Sequence, residues 1–362
     1  MKPDYIISLE QVPQLKPEER KELKKVTRWF SFQSNDYYLS LINWQDPDDP
    51  IRRLIIPQIR ELDEWGTLDP SSENLYTKAP GLQHKYRETA LLLVSDMCGG
   101  LCRFCFRKRL FVNDSSEVVP DVTEALRYIS NHQEITNVLL TGGDPLMLET
   151  GDLEPTVRKL REIDHVQIIR IGSKMPAYNP YRIIDDPELL EMIRKYSTPE
   201  KRIYIMAQFN HPRELSEPAM EAVRLLQGSG AILMNQTPMI HGINDNPEVL
   251  SMLFKKLSFM GVSPYYVFQC RPAKGNRIFS VPLEEAYAIF EKARGMCSGL
   301  AKRARFVMSH KKGKIEVVGV DATHTYFRYN QAAEPADLGR FVVCERNPDA
   351  CWFDDYRECT SD

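Results

Sequence analysis

The chain has 362 residues, 43% of them hydrophobic and 27% charged, which is enough to bury the core of one barrel-sized domain with appendages. A formal net charge of -3 supplies no basic footprint for a polyanion, so a nucleic-acid partner is not expected. The start Met1-Lys2-Pro3-Asp4-Tyr5 lacks an apolar signal core and no uninterrupted apolar run reaches bilayer length, so no membrane partner is expected and the reading is cytoplasmic.

Residues 1–80 read as a helical N-terminal appendage rich in charge and proline. The pattern over 17–26 predicts a surface helix with Pro17 in its first turn, and Pro57 interrupts any helix running from Ile51 to Leu62. Between them, Asp46-Pro47-Asp48-Asp49-Pro50 reads as a plain surface turn. From Thr89 onward the pattern changes. Apolar runs of strand length at 90–95, 137–140, 166–171, 203–208, 232–236 and 265–269 alternate with helical patterns such as 122–131, 187–195, 218–226, 247–260 and 283–293. Six strand–helix repeats predict an α/β fold: a partial (β/α)6 barrel of TIM type over 81–300, followed by a C-terminal extension over 301–362.

Chemically suggestive residues fall at or just after the ends of the predicted strands, where such a fold carries its active site. The first strand is followed by Cys98-Gly99-Gly100-Leu101-Cys102-Arg103-Phe104-Cys105. Three thiolates at this spacing hold three corners of a four-iron, four-sulfur cube and leave one iron open for a small ligand. A structural zinc site would need a fourth ligand, and no histidine or fourth cysteine stands close by; buried thiols serving as small hydrophobes are the plainer alternative. The glycine pair lets backbone wrap closely around an inorganic cube. Eight cysteines with three so clustered suggest metal chemistry in a reducing compartment rather than a disulfide framework. The second strand is followed by Thr141-Gly142-Gly143-Asp144-Pro145, where side-chain-free backbone stands beside an acid able to accept from an ammonium group.

The cysteine loop and the Gly142-Gly143-Asp144 turn resemble those of radical S-adenosylmethionine (SAM) enzymes. Further segments narrow the resemblance to the lysine 2,3-aminomutase family: Tyr37-Tyr38-Leu39-Ser40-Leu41, Gly81-Leu82-Gln83-His84-Lys85-Tyr86, Arg170-Ile171-Gly172-Ser173, Phe209-Asn210-His211-Pro212, Asn235-Gln236, Gly242-Ile243-Asn244-Asp245, Gln269-Cys270 and Gly313-Lys314-Ile315. The resemblance implies a 4Fe-4S cluster on Cys98, Cys102 and Cys105, and SAM held through Gly142, Gly143, Asp144, Ser173, His211 and Gln236. It implies pyridoxal 5'-phosphate (PLP) on Lys314, Arg107 gripping the α-carboxylate of a small amino-acid substrate, and an amino group moved between Cα and Cβ. A one-electron reductant such as flavodoxin or ferredoxin is implied as partner, and homo-oligomeric assembly is left open.

The chain also departs from that pattern. Arg271 follows Gln269-Cys270, where lysine-specific members carry an acid; an arginine suits a distal carboxylate, as in glutamate, and disfavours lysine. The position of the family's phosphate-binding arginine is Thr89, with Arg87 two residues earlier; strand alternation would keep both on one face, so Arg87 is the expected substitute. Gly313 stands alone where relatives have several glycines, and Lys311 or Lys312 would be the neighbouring cation that lowers the Lys314 pKa. Asn246 replaces a cysteine found in some relatives, and Cys344, Cys351 and Cys359 read as plain thiols rather than a second metal site. The expected function is a radical SAM, PLP-dependent amino-acid 2,3-aminomutase, an isomerase. The alternatives are a PLP-free radical SAM hydrogen abstractor and an iron-sulfur redox or sensor protein, in which the Gly142-Gly143-Asp144 turn would have no evident purpose.

Overall fold

The structure, a computed structural model, describes residues 3–111, 117–119 and 121–357. Within them, twelve strands follow one another in chain order across a single mixed sheet. β1 (Thr77–Ala79) and β2 (Leu82–Tyr86) pair antiparallel and lead antiparallel into β3 (Thr89–Ser95). Parallel to β3 run β4 (Asn137–Gly142), β5 (Ile168–Ser173), β6 (Ile203–Ala207), β7 (Ile232–Pro238), β8 (Ser263–Phe268) and β9 (Arg305–His310). Six helices make the crossovers: α1 (Thr123–Asn131), α2 (Thr150–Arg161), α3 (Pro187–Tyr196), α4 (Glu217–Gly228), α5 (Pro247–Phe259) and α6 (Leu283–Gly295). The sheet ends in the antiparallel strands β10 (Gly313–Val320), β11 (His324–Ala332) and β12 (Phe341–Glu345).

The six predicted strands are present with shifted ends, and the parallel run gains a seventh member. β9 lies beyond the expected boundary at 300, so the segment placed in the extension continues the sheet. Its residues are buried from Phe306 to His310, which a reading that stopped at the sixth helix passed over.

Alternation along the parallel strands sorts their side chains. Val138, Leu140, Ile169, Ile171, Ile203 and Ile205 pack into the large core under the helices. Their neighbours Leu139, Thr141, Arg170 and Gly172 face the opposite side and line a cavity. The sheet curls strongly around that cavity. β2 and β9 are seven places apart in strand order, yet Lys85 Nζ donates to His310 O, and Tyr76 OH donates to Lys311 O at 2.7 Å.

The N-terminal region is more than an appendage. It contains the predicted helix, Pro17–Thr27, and a short helix, Pro50–Ile55, that stops before Pro57 as expected. A third apolar core joins Leu39, Leu54 and Ile55 to Phe104 of the cysteine loop and to Tyr178 and Phe279. The plain surface turn at 46–50 needs correction at Asp49. That residue is fully buried, caps Ile51 N and Arg52 N at 2.9 Å, and pairs with Arg213, so a buried cap and ion pair hold this turn. No helix of the described residues is long and apolar enough to cross a membrane.

Candidate active site

The cysteine loop leaves β3 and is fastened from the N-terminal side. Gln33 Nε2 donates to Cys98 O at 2.6 Å, Asn35 Nδ2 to Gly99 O at 3.2 Å, Leu101 N to Gln33 O at 2.9 Å and Arg103 N to Leu54 O at 3.0 Å. Arg103, only 1% exposed, forks onto Glu61 at 2.8–3.2 Å and onto the Phe30 and Ser31 carbonyls. The glycine pair is required by packing: a Cβ at Gly99 would lie 2.5 Å from Met175 Sδ, and one at Gly100 would lie 3.2 Å from the Tyr178 ring.

Cys98, Cys102 and Cys105 all face a cavity of about 320 Å³. Burial pushes the Cys98 thiol well above its ordinary value, Cys102 up to about 12 and Cys105 upward; Asp144 and the other two thiolates add to the effect at Cys98 and Cys105 adds to it at Cys102, while Arg107, Lys108 and Arg109 oppose it at Cys105. A cationic metal centre bound there would deprotonate its thiol ligands outright, so the upward push from burial does not bar it.

The Gly142-Gly143-Asp144 turn lies against the residues just before Cys98. Gly142 has φ +120°, and a Cβ there would be 2.3 Å from Ser95 O; at Gly143 it would be 2.2 Å from Met97 O. The glycines therefore let two main chains meet, closed by Gly143 N to Ser95 O and Asp144 N to Met97 O, both 2.6 Å. Asp144 is buried, and burial raises its pKa to about 6; it accepts from Ser173 Oγ at 3.0 Å, Lys174 N at 2.7 Å and Leu146 N at 3.0 Å. Gly142, Gly143, Asp144, Ser173 and Gln236 all line the cavity. His211 does not. It caps the turn Pro212–Glu214, its Nδ1 accepting from Arg213 N at 3.2 Å, and burial lowers its pKa to about 4. It stands as a loop histidine held by backbone, outside that lining.

Arg107 lines the cavity, but one edge of its guanidinium is taken. Nε and Nη2 fork onto Glu73 at 2.8–3.2 Å and Nη1 donates to Thr141 Oγ1 at 3.0 Å. Of five N–H donors, two remain, one on each terminal nitrogen. Glu73, held well below the usual carboxylate range by Arg107 and Arg109 despite its burial, also accepts from Arg109 Nη2 at 2.6 Å.

Arg271 enters the same cavity. Its guanidinium carbon stands 3.5 Å from the centroid of the Phe106 ring, and Nη1 donates to Ser71 Oγ at 2.9 Å. Burial lowers its pKa to about 10. Lys314 sits on β10 two residues beyond the Lys311-Lys312 hairpin turn. Ile315 and Val317 pack into the core on one face, while Lys314 lines the cavity on the other. Its Nζ is 5.0, 5.7 and 6.0 Å from the ring centroids of Tyr86, Tyr266 and Phe268. Burial first, then Arg170, Arg271 and Lys85, lower its pKa to about 7. The neighbouring cations are thus these three and not Lys311 or Lys312, which are exposed on the turn. Gly313 is needed because a Cβ there would lie 2.2 Å from Gln331 O of β11.

The expectation for Arg87 fails. It lies exposed in the turn between β2 and β3, outside both strands, so alternation does not place it beside Thr89, and it does not line the cavity. Beside Arg107, Lys174, Arg271 and Lys314, the cations that do are Lys85 on β2 and Arg170 on β5, the latter donating to Asn137 Oδ1 at 2.8 Å. Among the described residues, no ion pair reaches Lys85, Arg170, Arg271 or Lys314. Glu73 is engaged by Arg107 and Arg109, so the cavity holds an unbalanced positive charge suited to anionic ligands. Sequence reasoning assigned no role to Glu73, Lys85 or Tyr178, whose partners are distant in the chain. Cys344 is buried, Cys351 is partly buried and Cys359 lies outside the described residues.

The Radical SAM superfamily profile matches residues 92–253. A protein of Aquifex aeolicus (strain VF5) bearing a provisional L-lysine 2,3-aminomutase name is 56% identical over 359 residues, covering 99% of this chain and 96% of its own. The L-lysine 2,3-aminomutase of Clostridium subterminale is 40% identical over 73% of this chain and 62% of its own. The glutamate 2,3-aminomutase of Clostridioides difficile (strain 630) is 35% identical over 84% and 72%. A superfamily whose members use a 4Fe-4S cluster and SAM, relatives that are aminomutases, and three thiols lining one cavity lead to one assignment: the chain is a radical SAM isomerase belonging to the lysine 2,3-aminomutase family.

Proposed function

We propose that the chain is a PLP-dependent amino-acid 2,3-aminomutase whose substrate carries a distal anionic group, as glutamate does, and that its curled sheet is a partial barrel around the reacting atoms. The observation that carries the substrate reading is Arg271: a cavity guanidinium stacked on Phe106, with a serine hydroxyl as its partner and no ion pair among the described residues. Such a group left uncompensated is costly, and a ligand carboxylate would compensate it. A lysine ammonium in the same place would add repulsion to a cavity already rich in cations.

Cys98, Cys102 and Cys105 would hold the cluster, and Gly142, Gly143, Asp144, Ser173 and Gln236 would hold SAM. Together, cluster and SAM supply a carbon radical for hydrogen abstraction, and PLP supplies a carbonyl that binds an amine and delocalises an unpaired electron. Lys314, neutral for much of the time near pH 7, is the amine that would carry PLP, with Lys85 and Arg170 available to its phosphate. The two remaining Arg107 donors would take the substrate α-carboxylate end-on, while Glu73 fixes the guanidinium plane. Arg271 would take the distal carboxylate, so the two arginines orient the substrate along the cavity.

Exposure of Arg87 favours a second reading, a radical SAM enzyme without PLP, because it removes the expected phosphate ligand. Borohydride treatment of anaerobically purified protein supplied with PLP, followed by mass mapping, separates the two. A pyridoxyl adduct on Lys314 is expected; its absence after reconstitution overturns the PLP assignment and leaves cluster and SAM chemistry.

A further inference from the structure

Tyr178, a few residues beyond β5, reaches the cysteine loop from outside it. Its hydroxyl lies 3.0 Å from Cys102 Sγ. The residue is 2% exposed, and its ring packs edge-on against Tyr38 with centroids 4.4 Å apart. Tyr38 OH donates to Glu214 Oε1 at 2.6 Å, and Lys174 Nζ, 5.0 Å from the Tyr178 ring centroid, pairs with that carboxylate at 2.5 Å. Asn35 Nδ2 donates both to Tyr178 O, at 2.9 Å, and to Gly99 O, so one side chain fastens the tyrosine and the cysteine loop together. The hydroxyl is therefore fixed in place beside the sulfur.

Between a hydroxyl and a thiol either group can donate, but a metal-bound thiolate only accepts. With Cys102 bound to the cluster, the contact has one polarity, and Tyr178 donates. Negative charge on the cluster's sulfurs grows when an electron is added, so a fixed donor stabilises the reduced form more than the oxidised one. We propose that Tyr178 is a positioning residue for the cluster, whose hydroxyl hydrogen-bonds Cys102 Sγ and raises the cluster's reduction potential, so that a one-electron donor reduces a larger fraction of it. The inference rests on the cluster assignment and requires neither PLP nor a particular substrate.

The test is an anaerobic redox titration of the full chain, followed by the electron paramagnetic resonance of the reduced cluster. Tyr178→Phe keeps the ring that packs on Tyr38 and Gly100 and removes only the hydroxyl. At equal iron and sulfide content, its ratio of reduced to oxidised cluster at a fixed solution potential should fall about threefold to tenfold, tenfold being about 59 mV for one electron. Replacing Tyr178 with 3-fluorotyrosine, a stronger donor, should move the ratio the other way. If Tyr178→Phe loads less iron, the fluorotyrosine protein decides alone. Potentials equal to that of the parent, or a fluorotyrosine shift toward lower potential, overturn the proposal. No amino-acid substrate enters this titration, so its failure leaves the aminomutase reading standing, and the converse holds.

Discussion

Lys314 should react as a neutral amine close to physiological pH. An ordinary lysine at pH 7.5 is neutral in roughly one molecule in a thousand, whereas a pKa of about 7 leaves about three in four neutral, an advantage of roughly 700-fold for equal access. Burial is the main cause, and three cations facing the ammonium add to it. The displacement from 10.5 to about 7 is about 3.5 pH units in all, and burial takes the largest share, so one such charge is worth roughly one unit, about 1.4 kcal/mol. Arg170→Met should therefore move the midpoint of Lys314 labelling from near 7 to about 8. The assay is reductive methylation of PLP-free protein across a pH series, with the Lys314 peptide quantified by mass spectrometry. A parent midpoint above about 10, the ordinary lysine range, would refute the desolvation reasoning. An unchanged midpoint in Arg170→Met would refute the cation contribution. The sign for stability follows from the same depressed pKa. Between about 7 and the ordinary lysine value the unfolded chain holds the proton and the folded chain does not, so Lys314's contribution to stability rises with pH across that window. Lys314→Met should flatten that slope in urea titrations.

Arg271→Gln should lower kcat/KM for glutamate by a factor of about 100, the loss of one charge-assisted contact worth about 3 kcal/mol, as measured by steady-state assay of the reconstituted enzyme. An unchanged constant would remove Arg271 from the substrate site. Arg87→Ala should leave PLP affinity within about twofold, since the side chain lies exposed outside the cavity, while Lys85→Gln weakens it about tenfold. Equilibrium titration of PLP absorbance checks both, and the reverse ranking would contradict the placement. Gly143→Ala forces a Cβ to within 2.2 Å of Met97 O and should cost about 3 kcal/mol or more, visible as a lower Tm. A wild-type Tm would show that the two loops do not meet as described.

The sequence revealed the parallel strands and the residues at their C-terminal ends because both are local signals. Apolar runs of strand length marked β3 to β8, and the cysteine spacing marked the loop that follows β3. What it could not show depended on pairings between distant segments. Glu73 gains its meaning from Arg107 and Arg109, more than thirty residues away, and nothing in Ser71-Ser72-Glu73 announces that partnership. Arg87 was misplaced because the alternation argument assumed a strand where the chain turns. The cations that depress Lys314 were sought in its own hairpin, although strand curvature delivers them from β2, β5 and the loop after β8. Asp49, read as solvated, is buried because the N-terminal region folds onto the cysteine loop.

The most direct test of the substrate assignment is a product analysis. Anaerobically reconstituted protein, with reduced cluster, SAM and PLP, is given equal concentrations of glutamate and lysine, and the β-amino acids formed are quantified by NMR. Predominant 3-aminopentanedioate, the glutamate product with its amino group moved to Cβ, is the expected result. Predominant β-lysine would contradict the role given to Arg271 and return the cavity to the substrate of its lysine-specific relatives.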